Sequence, residues 1–157
     1  YERKLDFELE SSQIGDSEMQ YLDFAYANSL IRTFMNDSSL VLTIRGRKYT
    51  PSFKFNIGNY SLEVESVQTE VDAGYEGKSS IVLIEAKNTS ASNTIIRQLY
   101  YPYRQWQINT TKVVLPVFFE KRVVDGENIF YIWQYAFTDS NNYNSIKLVK
   151  SGRFRII

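Results

Sequence analysis

Asp72, Glu85 and Lys87 are the residues of this chain best equipped for chemistry, and their spacing suggests how they could meet. Glu85 and Lys87 stand two apart at the end of the apolar run Ile81-Val82-Leu83-Ile84. Side chains alternate across a strand, so Ile81, Leu83, Glu85 and Lys87 share one face. The apolar part of that face can pack while its Glu-x-Lys end opens into a cleft. Upstream lies Asp72, and Gly74-Tyr75-Glu76-Gly77 is a candidate turn between the two. A hairpin there brings Asp72, ending its own strand, beside Glu85. Two carboxylates with a lysine suit a hard divalent cation and an activated water. The plainer reading is a surface turn in which Glu85 and Lys87 pair only with each other.

Composition narrows the other options. The chain of 157 residues contains no Cys and no His. That excludes disulfides, thiolate chemistry, histidine-ligated zinc and a Ser-His-Asp triad. Carboxylates, Lys, Tyr and Ser remain, and a metal held by oxygen ligands is the natural fit. Lys and Arg total 18, as do Asp and Glu, so any face that binds nucleic acid must be local. With 12 Tyr, 10 Phe and 2 Trp the chain has ample material for one core. No stretch has the length of a membrane span and no signal peptide is visible, so a soluble, cytoplasmic protein with no membrane partner is expected. The first residue is Tyr1, not Met, and a piece of a longer polypeptide is expected.

The elements that must position these residues read as follows. Ser17 and Gln20 form a capping box for a first helix, with Glu18 in its first turn. Its apolar stripe is Met19, Leu22, Tyr26, Leu30, Ile31 and Phe34, ending near Asn36-Asp37. Strands are expected at 40–44, 53–57 and 60–64, with Gly58-Asn59 as a turn and a phase slip near Ser66-Val67. Arg45-Gly46-Arg47-Lys48 reads as a basic turn. After the motif strand and a polar loop at 88–93, a second helix is expected over 95–106, with Ile95, Leu99 and Tyr103 inward and Pro102 shortening or kinking it. The run 113–119 is a central strand buried on both faces, Asp125-Gly126 a hairpin turn, and 129–137 the return strand. One or two basic strands close the chain over 146–157, carrying Lys147, Lys150, Arg153 and Arg155.

Asp72 followed by Glu85-Ala86-Lys87 resembles the signature of the PD-(D/E)XK nuclease superfamily. The string Glu85-Ala86-Lys87-Asn88, followed by Ile95-Ile96-Arg97-Gln98-Leu99-Tyr100-Tyr101-Pro102-Tyr103-Arg104, is similar to a run in type II restriction endonucleases. The likeness covers residues 72–104 directly and the rest by element order only. It departs at Val71, where the family pattern has Pro.

The resemblance implies an α/β fold with a restriction-endonuclease-like αβββαβ core, a mixed sheet flanked by helices, in a single domain over 1–157. It implies a Mg2+-dependent endonuclease hydrolysing the phosphodiester bonds of double-stranded DNA, with Mn2+ able to substitute. A prokaryotic setting and a homodimer go with the restriction type. Asp72, Glu85 and the Ala86 carbonyl would hold the metal, Lys87 would orient the attacking water, and Gln98 would stand near the site. Glu18 matches the additional metal-linked Glu that many members carry on an early helix, and first-turn electrostatics explains it equally well. Glu70, two residues before Asp72, can share a face with it as an extra ligand, against the plainer reading of a solvated strand residue. Arg45, Arg47, Lys48, Arg97 and Arg104 are candidates for phosphate contact, against the alternative of a solvated basic face. A DNA-repair or junction-resolving nuclease of the same fold, or a non-catalytic DNA-binding module, is the competing reading.

Overall fold

A computed structural model describes residues 5–11, 14–15, 17–87 and 96–157. In it, β1 (Val41–Tyr49), β4 (Gln68–Glu76), β5 (Ser80–Lys87), β6 (Val113–Val124), β7 (Glu127–Phe137) and β8 (Ile146–Phe154) form one sheet in the order β1-β4-β5-β6-β7-β8. β2 (Phe53–Ile57) and β3 (Tyr60–Val64) pair as a separate hairpin. All neighbours run antiparallel except β5 and β6, which are parallel and joined through helix α3 (Ile96–Asn109). The protein is therefore α/β, with a mixed six-stranded sheet and few helices.

Alternation divides the sheet into two apolar faces. Tyr75, Val82, Ile84, Ala86, Phe119 and Ile132 pack under α1 (Glu18–Ala27) and α2 (Leu30–Met35) through Leu22, Ala25, Leu30, Ile31 and Phe34. On the other face Ile81, Leu83 and Val114 meet Tyr100 and Tyr103 of α3, closed over by Phe53, Phe55 and Val64 of the hairpin. β6 is the inner strand its apolar run implied, and Asp125 (φ 51°) with Gly126 (φ 79°) makes the tight turn into β7.

Four expectations change. The first helix is two, because Ser29 adopts the left-handed conformation (φ 64°) between α1 and α2. The break lets both segments bury apolar residues against one sheet. Its capping box is half made. Ser17 accepts from the Gln20 N–H, but the Gln20 amide donates to the Ser11 and Ile14 carbonyls instead of returning to Ser17.

The basic run 45–48 lies inside β1 and is no turn. β1 is an edge strand, where charged side chains can stay solvated, and Gly46 at φ 97° takes up an irregularity in the pairing.

The hairpin turn lies at Gly77-Lys78-Ser79, closed by the Gly77 N–H donating to the Ser80 carbonyl at 2.8 Å. Asp72 is thus well inside β4. Gly74 serves close packing, not a turn: a Cβ there would lie 2.6 Å from the Ile44 Cβ.

Finally, α3 runs through Pro102 to Asn109. Proline inside a helix costs about 3 kcal/mol and removes the helical donor for the Gln98 carbonyl. The buried face of Leu99, Tyr100, Tyr103, Arg104 and Gln105 offsets that cost. Ile95 and the polar loop at 88–93 lie outside the described residues. No described helix is long and apolar enough to cross a membrane.

Candidate active site

The ladder between β4 and β5 has its last pair at Ala73 and Ile84. The next residues on the two strands are Asp72 and Glu85, which line one cleft and are close enough for Asp72 to raise the Glu85 carboxyl. At this point β4 also slips against β1. Ile44 pairs with Gly74 and Gly46 with Val71, so Asp72 and Ala73 together oppose the single residue Arg45. A bulge of this kind re-aims a side chain. Val71 lies in the core under α3, whereas Ala73 and Tyr75 lie in the core under α1.

The bulge is held from both sides. Arg45 Nε donates to the Asp72 carbonyl at 3.1 Å, and its guanidinium pairs with Asp23 of α1 at 2.6 Å. On the other flank the Asp72 Oδ2 accepts the Ala86 N–H at 2.8 Å. N–H and C=O of one residue leave a strand from the same edge, so the Ala86 carbonyl is on the Asp72 side as well.

Lys87 Nζ lies 3.3 Å from Glu85 Oε1. Glu85 is only 8% exposed. Burial, then the neighbouring Asp72, pushes its carboxyl up to about 7, with Lys87 pulling the other way. Burial likewise raises Asp72, opposed by the Ala86 N–H and by Lys87 and reinforced by Glu18 and Glu70. For Lys87 burial works against the charge, but Glu85, then Glu18 and Asp72, more than offset it and hold the ammonium above its ordinary pKa. The pair is thus short of positive charge: one lysine faces a buried and a half-buried carboxylate. Lys87 is a firm cation here, suited to stabilising negative charge and not to accepting a proton.

These groups open onto a cleft of about 450 Å3, lined also by Glu18, Glu70, Arg97, Gln98 and Tyr101. Glu18 and Gln98, candidates from the sequence, both line the cleft. Glu70, whose plainer reading from sequence is a solvated residue, joins that wall, with Arg47 at 3.6 Å. Among the described residues no three carboxylates gather as a ready metal cage. A cation would rest on Asp72 and Glu85.

A family model described as Domain of unknown function (DUF6997) matches residues 1–155. The chain belongs to this family. No curated protein and no solved structure matches it. In this DUF6997 chain the candidate basic residues separate by environment. Arg97 is exposed at the cleft, its guanidinium 5.1 Å from the Tyr101 ring centroid. Arg47 is at the rim. Lys48 instead lies over Trp106, and Arg45 is committed to Asp23 and Asp72.

Arg104 is 8% exposed and does not line the cleft. Its Nη1 donates to the Lys54 and Ser140 carbonyls and to the Tyr100 hydroxyl, tying the β2–β3 hairpin and the loop after β7 to α3. That corrects its expected place at a phosphate. Asp23 was not singled out from sequence, because nothing local marks an acidic helix residue as the partner of an arginine 22 positions on.

Proposed function

We propose that this protein is a Mg2+-dependent DNA endonuclease with a restriction-endonuclease-like core, nearest in kind to type II restriction enzymes. The observation that carries the reading is the meeting of Asp72 and Glu85 on neighbouring strands, with Lys87 beside Glu85 at the wall of a cleft. The element order supports it. α1 precedes the antiparallel strands β1, β4 and β5, and the α3 crossover then leads to β6, parallel to β5. The β2–β3 hairpin is an insertion in that αβββαβ plan.

The donor set fits a hard divalent cation, since the buried Glu85 and half-buried Asp72 share one lysine and both hold their protons more tightly than usual. The chemistry that such a cation supplies when bound is Lewis acidity toward a phosphate oxygen and a better water nucleophile at neutral pH. Asp72 and Glu85 would hold it, with the Ala86 carbonyl on the same edge. Lys87 contributes a fixed positive charge where negative charge grows as the phosphodiester is attacked. Gln98 can orient substrate or water from α3, and Arg97 can contact a phosphate from the same wall. No covalent intermediate is required. Double-stranded DNA as partner, a homodimer that pairs two such sites, and a prokaryotic cytoplasm go with the restriction reading.

Incubation of the chain with plasmid DNA and Mg2+ or Mn2+ tests it. Discrete fragments are expected. Nicking confined to branched or damaged DNA would favour a repair nuclease, and binding without cleavage would leave a non-catalytic module.

A further inference from the structure

The face of the sheet that carries Glu85 and Lys87 continues beyond α3 into an arrangement that the proposed chemistry does not use. Lys87 pairs in register with Glu120 of β6, Glu120 with Tyr131 of β7, and Tyr131 with Arg153 of β8. Partners in register share a face, so a line runs from the cleft across three further strands. From Lys87 to Tyr131 it covers two strand spacings, about 10 Å.

The groups along this line are ordered. Glu120 is 1% exposed, and Arg122 grips its two carboxylate oxygens at 2.9 and 3.0 Å. So held, the Arg122 guanidinium lies 4.4 Å over the Tyr131 ring and 5.9 Å from that of Trp133. Tyr131 and Trp133 stack with centroids 5.8 Å apart and planes only 15° from parallel, and Phe118 supports Trp133 from below at 5.5 Å. Phe118, Tyr131 and Trp133 belong to neither apolar core, and the two rings on β7 stay partly exposed. α3 packs over β4, β5 and β6 and meets β7 at Phe137. Arg153, exposed at the far end, has no ion partner among the described residues.

A buried carboxylate spent on fixing one arginine over two parallel rings is costly as mere packing. Flat π-faces and a guanidinium plane are what nucleobases stack on, and the adjoining arginines match an anionic backbone. We propose that the Tyr131–Trp133 face, with Arg122 and Arg153, is a platform for unpaired bases of the strand that leaves the cleft at Lys87. The substrate would then be duplex DNA in which a base close to the cleaved phosphate is flipped out of the helix, the single strand serving as the probe for unpaired bases. This rests on the nuclease reading for the identity of the cleft, but the platform can be tested without cleavage.

The test is fluorescence anisotropy on the whole chain in EDTA, with labelled single-stranded oligothymidylate and a blunt duplex of the same length. Trp133→Ala and Tyr131→Ala are each expected to weaken single-strand binding about tenfold and leave duplex binding unchanged. Trp133→Phe should keep most of the affinity. The chain has two tryptophans, so Trp106→Phe leaves Trp133 as sole reporter, and its emission should be quenched by the single strand and not by the duplex. Unchanged single-strand affinity in folded Trp133→Ala, an equal loss on duplex, or absence of quenching would overturn the platform. Tighter binding of oligouridylate than of oligothymidylate would overturn its assignment to DNA. The unsubstituted chain stacking single strands but never cutting DNA with Mg2+ or Mn2+ would refute the nuclease reading alone and leave the platform standing.

Discussion

The Asp72 carboxylate accepts the Ala86 N–H at 2.8 Å, one residue beyond the last ladder pair of β4 and β5. A side chain thus stands in for a backbone acceptor at the mouth of the cleft. The same carboxylate is a proposed metal ligand, so structure and chemistry make separable demands on it.

Asp72→Asn keeps an oxygen for Ala86 but loses the charge. It should lower Mg2+-dependent cleavage about a hundredfold or more while shifting the urea midpoint little. Asp72→Ala should lose cleavage as well and cost about 1–2 kcal/mol of stability, because the Ala86 N–H loses its acceptor. Near wild-type cleavage by either variant would remove Asp72 from the site.

Glu85 sets an expected pH dependence. Its carboxyl, pushed up to about 7, makes protons compete with the cation, so Mg2+ affinity should rise from about pH 6 to pH 8. Without metal the sign is opposite. A carboxyl whose pKa is raised in the folded state stabilises that state at low pH, fully below the ordinary value of 4.5, and the contribution is lost as pH rises through about 7. Calorimetric titration and thermal melts at several pH values check both trends. Glu85→Gln should flatten them.

Lys87→Ala should lose cleavage by orders of magnitude with the fold intact, and Lys87→Arg should not restore it, since a forked guanidinium cannot occupy the place of a compact ammonium. The variant should also move the Glu85 midpoint upward, because Lys87 opposes that shift. Retention of most of the rate in single-turnover assays would reduce Lys87 to a partner for Glu85.

Arg97 and Arg104, seven residues apart on α3, should fail in different ways. Arg97→Ala is expected to weaken DNA binding across sequences and to reduce the salt slope of log K by about one. Arg104→Ala should cost about 3 kcal/mol, since it removes three hydrogen bonds from a buried guanidinium, the Ser140 carbonyl keeping only the Tyr100 hydroxyl as donor, with unchanged salt slope in the protein that folds. Binding titrations at two salt concentrations and denaturant melts separate them.

What the sequence by itself determined are features confined to one element. The shared face of Glu85 and Lys87 follows from strand alternation, the Ser17 cap and the Asp125-Gly126 turn from local hydrogen bonding and positive φ, and the inner place of β6 from its unbroken apolar run. The Asp72–Glu85 pair was legible as two carboxylates near a turn, though the turn itself lies three residues further on. Only the tertiary structure decided what depends on register between elements. The meeting of Asp72 and Glu85 needs β4 to lie beside β5, and the bulge of β4 against Arg45 is anchored by Asp23, 22 residues upstream of that arginine. The burial of Arg104 under the hairpin, and the line from Lys87 through Glu120 and Tyr131 to Arg153, need strands distant in the chain to lie side by side. A one-residue slip would turn every such side chain to the opposite face, and packing of both faces against the helices and the hairpin selects the register that no single strand encodes.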